Sequence, residues 1–102
     1  THTHVATADE QILPGGTGFQ CDVGMTGPFE SILGRKIDPV IQATLHAVPV
    51  PFQVGTADVR LNATWLDIDI ARGHCQQIAR IELRENYLAE YRAAKAKQRS
   101  VL

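Results

Sequence analysis

This chain is short of several things, and each shortage closes off a class of protein. Its 102 residues include two cysteines, one tryptophan and one methionine. Cys21 and Cys75 stand far apart with no metal-type spacing. They read as buried or free thiols in a reducing compartment, with a single disulfide between them as the alternative. The net charge is −1 and the pI is near 6.4, so nothing suggests a general polyanion binder. No apolar run approaches the roughly 20 residues of a membrane span, and no signal-peptide pattern opens the chain. Internal repeats and low-complexity segments are lacking too. So is a starting methionine, and the opening residues look like the interior of a longer protein. A cytoplasmic location is expected, with neither a membrane nor DNA as partner.

What is present suits one small domain: 44% hydrophobic and 21% charged residues. Thr7 to Gly16 reads as an irregular loop ending in a Pro-Gly-Gly turn. In Thr17 to Val23, Thr17, Phe19, Cys21 and Val23 alternate with Gly18, Gln20 and Asp22, which predicts a strand. Gly24 to Pro28 breaks it into a tight loop. Asp38-Pro39 is a helix start, with Asp38 as N-cap. Ile37, Ile41, Leu45 and Val48 follow the helical period and are expected to face a core. Pro49 and Pro51 stop this helix.

Val59 to Ile70 alternates with one slip of phase at Trp65-Leu66, which predicts a β-bulge or two strands meeting at a bend. Ala71 to His74 is a turn, and Cys75 to Leu83 returns to make a hairpin. Asn86 to Ser100 predicts a C-terminal helix whose basic end (Arg92, Lys95, Lys97, Arg99) is a solvated face that complements the macrodipole. The order is loop, strand, loop, helix, hairpin, helix, a mixed α and β pattern. Three predicted strands do not close a sheet, so exposed edges are expected.

Half of the four histidines stand in Thr1-His2-Thr3-His4. On an extended backbone the i, i+2 spacing puts both imidazoles on one face, roughly 7 Å apart at the Cβ atoms. That is wide for one ion and suits two ions about 3.5–4 Å apart, each taking one imidazole. The bland alternative is a tag remnant or a pair of surface histidines. Asp9 and Asp22 are the acids expected near the pair, and a single-metal binder built from His2, His4 and Asp22 is a third alternative. The hydroxyls of Thr1, Thr3 and Thr7 could orient metal-bound imidazoles. His46, near a helix end, and His74, at the hairpin turn, read as surface histidines. Asp67 and Asp69 read as a solvated strand face. The glycines around Gly15-Gly16 and Gly24-Gly27 read as tight turns, with backbone approach to a substrate as the alternative.

The run THTHV, then TADEQILPGG, then DVGMTGP resembles the closing metal motif and following segment of bacterial calcineurin-like metallophosphoesterases, specifically the YmdB-like branch. The resemblance is strongest from Thr1 to Gly34 and continues more weakly to about Leu83. It implies the C-terminal half of a four-layer α/β/β/α sandwich (1–34 metal motif and loops, 35–83 helix plus hairpin, 84–102 C-terminal helix). It implies that His2 binds one divalent ion and His4 the other, iron or manganese, with a nucleotide phosphodiester such as a 2′,3′-cyclic nucleotide as substrate. The remaining ligands and the leaving-group acid of such enzymes lie in earlier motifs that this sequence does not contain. No catalytic residue is therefore assigned, and the chain alone is expected to be inactive. The competing expectation is a non-catalytic interaction or oligomerisation module that associates through its sheet edges into a homo-oligomer.

Overall fold

Proline and glycine decide where this chain turns, and the turns explain most of the short elements in the computed structural model, which describes residues 1–100. Pro14 to Gly16 reverse the chain: the Gly16 N–H donates to Leu13 O and the Leu13 N–H to Thr17 O, both at 2.8 Å. The reversal folds β1 (Gln11–Ile12) antiparallel onto β2 (Gly18–Phe19), with Gln11 opposite Phe19. The strand expected over Thr17 to Val23 is thus only two residues long. Beyond Phe19 the segment turns to side chains instead of a ladder. The Gln20 amide donates to Thr7 O (3.1 Å), the Cys21 N–H to Asp9 Oδ1 (3.2 Å) and the Asp22 N–H to Thr7 Oγ1 (3.0 Å).

Gly27–Pro28, expected as loop, is instead β3. It pairs antiparallel with the start of β4 (Val59–Asp69), Gly27 against Arg60 and Pro28 against Val59. Proline is tolerated there because β3 is an edge in the order β3-β4-β5. β5 is His74–Arg84. The turn between β4 and β5 is closed by the Gly73 N–H on Asp69 O at 2.7 Å. β4 runs as one continuous strand of 11 residues, not two meeting at a bend.

α1 spans Ile37–His46 with Lys36 at the N-cap position and no side-chain cap, so Asp38 lies inside the first turn and is not the cap. The helix thus starts two residues earlier than expected, and the Lys36 N–H before it donates to Gln53 O at 2.8 Å. Ala47 ends α1 in the left-handed conformation, φ 53°. α2 spans Glu85–Ser100.

The chain divides into two compact units. The first, unit 1, is Thr1–Thr26 with Leu61–Glu82; the second, unit 2, is Gly27–Arg60 with the residues from Leu83 onward. In unit 1 Cys75 is buried, and so is Asp22, at 4% exposure. In unit 2 the expected core face of α1 is not covered: Ile37, Ile41, Leu45 and Val48 are all exposed, Leu45 at 71%. The helical period identified the apolar stripe, but nothing among the described residues buries it.

Candidate metal centre

The histidine pair does not lie on extended backbone, which corrects the face argument made from its spacing. Residues 3–5 form a bend, and His4 sits in the left-handed region at φ 64°. A non-glycine residue there costs about 1–2 kcal/mol, so surrounding bonds must hold it. Asp22 provides them. Its Oδ2 accepts the N–H groups of His2 (3.0 Å) and Thr3 (2.6 Å) and the Thr3 hydroxyl (2.7 Å). Its Oδ1 accepts the Gly24 N–H at 2.8 Å, an Asx-type turn. On the far side the His4 carbonyl accepts the Met25 N–H at 3.1 Å.

Burial pushes the Asp22 carboxyl upward. The donors from Gly24, Thr3 and Thr1 more than reverse that and hold it well below the usual carboxylate range. Asp9 is also lowered, first by the Thr7 hydroxyl (2.5 Å) and then by the Cys21 N–H. Both acids expected near the pair are therefore anchors: both Asp22 oxygens and Asp9 Oδ1 already accept bonds. The threonine hydroxyls likewise serve these carboxylates and not the imidazoles. That arrangement overturns the single-ion site of His2, His4 and Asp22. Among the described residues no three His, Cys, Asp or Glu side chains converge to hold an ion.

What remains available is the imidazoles. His2 is exposed, and His4 is half-buried with its Nδ1 enclosed and without a hydrogen-bond partner. A buried, unpartnered ring nitrogen is an uncommon thing to leave in a fold unless it binds something. The two histidines thus fit the imidazole share of a metal donor set, and the acids of this chain do not fit the carboxylate share.

The other candidates separate from this site. His46 is exposed in the last turn of α1. His74 is exposed too, and its ring lies over Gly16, where a Cβ would meet His74 Cγ at 2.7 Å. Asp67 is exposed, and Asp69 caps the hairpin turn by accepting the Ala71 N–H at 3.0 Å. Gly24, at φ 87°, lets the chain pass against Ala6, since a Cβ there would lie 2.7 Å from the Ala6 nitrogen. Gly16 and Gly24 therefore serve close packing of this chain on itself. The basic end of α2 is exposed, as expected: Arg92, Lys95 and Arg99 with Tyr91 line a hollow of about 580 Å³ that contains no acid and no histidine.

Comparison with known proteins joins this geometry to a family. The sequence model described as YmdB-like protein matches residues 1–81. The chain is 40% identical over 88 residues to a 2′,3′-cyclic-nucleotide 2′-phosphodiesterase of Bacillus subtilis strain 168, covering 86% of this chain and 33% of that protein. It is similar to the crystal structure of a hypothetical protein from Thermus thermophilus, with TM-score 0.76 and 38% identity over 83% of this chain and 33% of the other. It is also similar to the crystal structure of a novel phosphatase from Mycoplasma pneumoniae, with TM-score 0.77 and 30% identity over 87% and 33%. The chain spans about a third of the length of the relatives it matches.

Proposed function

The chain belongs to the YmdB-like protein family, and from that premise we propose that it is the C-terminal part of a dimetal phosphodiesterase acting on phosphodiesters such as 2′,3′-cyclic nucleotides. In this reading it contributes one portion of a four-layer α/β/β/α metallophosphoesterase sandwich. His2 holds one divalent ion and His4 the other, iron or manganese. The ions supply Lewis acidity toward the phosphoryl group. The residues of this chain hold the two rings in place, and the bridging carboxylate comes from elsewhere in such a protein.

One observation carries the reading: His4 Nδ1 is enclosed and unpartnered on a turn where the neighbouring carboxylates are already engaged. The chain lacks a bridging acid, so by itself it should not hydrolyse a 2′,3′-cyclic nucleotide above the metal-only background.

The test exchanges this chain for the matching C-terminal third of the Bacillus subtilis relative. Manganese-dependent hydrolysis by the chimera is expected, and His2→Ala and His4→Ala should each lower it by about 100-fold or more, since even partners behind a ligand are worth 10–100-fold. His46→Ala and His74→Ala should leave it within about threefold, as surface changes usually do. Equal losses at His46 and His2 would sink the assignment.

A second reading, an oligomerisation module, rests on a different observation. Large apolar side chains such as Trp65, Leu66 and Ile68 of β4 are 45–52% exposed, and Ile70 is 93% exposed. Surfaces of that kind favour association. Sedimentation of the 102-residue chain as a concentration-independent monomer would exclude it.

A further inference from the structure

Asp22 is the most heavily engaged side chain around the histidine turn. Four of its hydrogen bonds come from two segments: His2 and Thr3 on one side, and Gly24 on the other. The Thr3 hydroxyl extends the clamp, donating to Asp22 and accepting the Val5 N–H at 3.3 Å. The His4 carbonyl is tied to Met25. The amides before and after His4 and its own carbonyl are therefore all held, directly or through Thr3, by the segment that Asp22 begins. Only a carboxylate suits this position. It accepts on both oxygens, whereas an asparagine would turn an N–H₂ group toward an amide that already points a donor at it.

We propose that Asp22 is a positioning residue for the metal site: by gathering the His2, Thr3 and Gly24 amides and the Thr3 hydroxyl on one carboxylate, it fixes His4 in the left-handed conformation in which its Nδ1 has no hydrogen-bond partner in the protein. The inference rests on the reading of His2 and His4 as ligands. Asp22 acts through the backbone and does not itself touch the ion. Holding a ligand in place in advance raises affinity because less freedom is lost when the ion arrives.

The experiment titrates Mn²⁺ into the full 102-residue chain and follows paramagnetic broadening of the four imidazole signals by NMR, beside a thermal midpoint. His2 and His4 should broaden well before His46 and His74. Asp22→Asn should raise the Mn²⁺ concentration required by about tenfold or more. Thr3→Val, which removes the hydroxyl bond to Asp22, should raise it by about two- to fivefold. Asp9→Asn disturbs the Thr7 and Cys21 bonds but none to the histidine turn. It should lower the midpoint while leaving the Mn²⁺ response unchanged, which separates lost stability from lost position.

An unchanged Mn²⁺ response in folded Asp22→Asn overturns the proposal. Should that variant fail to fold, an unchanged response in Thr3→Val overturns it equally. Failure of the underlying reading looks different: His2→Ala and His4→Ala would both broaden like the parent chain, and the inference about Asp22 would fall with it.

Discussion

The two units of this chain hold their loops by different means. In unit 1 the work is done by ionised acceptors. Asp9 and Asp22 collect amides and hydroxyls from segments up to 20 residues away, and Glu10 pairs with Arg80 at 3.0 Å. In unit 2 it is done by cations over rings and by backbone bridges. The Arg60 guanidinium lies 4.5 Å over Phe29 while its Nε and Nη2 reach the two Asp58 oxygens at 3.1 and 2.6 Å. Arg35 lies 5.0 Å over Phe52, and its backbone bridges both Ile32 and Val54. The contrast teaches that a definite geometry at His4 does not require an apolar core around it. A buried carboxylate with every oxygen satisfied is directional, so it can hold a left-handed residue that non-directional apolar packing would not select.

The sharpest way to break that comparison is to insert volume at one glycine of each unit. Gly24→Val forces a side chain into the Ala6 nitrogen at a φ of 87° and should cost about 2–4 kcal/mol in urea unfolding. At Gly55→Ala the nearest atoms are in the Pro28 and Ser31 side chains, at 3.2–3.3 Å, and the change should cost less than about 1 kcal/mol. Equal costs would mean that the loops of unit 1 are no more tightly specified than those of unit 2.

Acid comes next. Asp9 and Asp22 in unit 1 and Asp58 in unit 2 all have carboxyls lowered in the folded chain, Asp58 chiefly by the Arg60 hydrogen bond. A lowered folded pKa means that the stabilisation is complete above the unfolded value, near pH 4, and is lost as the pH falls through the folded value. The His2, Thr3 and Gly24 amides should therefore keep their native NMR positions at pH 4 and lose them only well below it. Loss of those positions between pH 6 and 5 would contradict the carboxylate clamp.

A smaller effect separates the two ion pairs. Arg60→Lys gives up a two-pronged contact and should cost about 1 kcal/mol. Arg80→Lys disturbs a pair whose arginine is 42% exposed and should cost about 0.5 kcal/mol or less. The smallest change is Lys95→Ala on α2. It loses an exposed contact 5.3 Å over Tyr91 and gains helix propensity, for a net shift within about 0.5 kcal/mol by thermal unfolding.

How much was legible follows from the range of each interaction. β4, β5, α1 and α2 were readable because each carries its period over ten or more residues. β1 and β3 were not, because two residues carry no period. At the site, the histidine pair stood out by composition, and the motifs around it carried the family resemblance that the match over residues 1–81 bears out. The role of Asp22 was half legible. Its bond to the amide two residues on, at Gly24, is an Asx turn that an Asp-x-Gly string announces. Its bonds to His2 and Thr3 span 20 and 19 residues and have no local sign.

The sequence alone determined the long elements and their order, the two imidazoles at the start of the chain and the family to which it belongs, because periodicity and motifs are written in neighbouring residues. Only the tertiary structure decided that Asp22 and Asp9 anchor loops, that His4 takes the left-handed conformation and that its Nδ1 is left without a partner. The reason is physical. Which donor a carboxylate meets depends on how the chain closes over some twenty residues, and no local propensity encodes that closure.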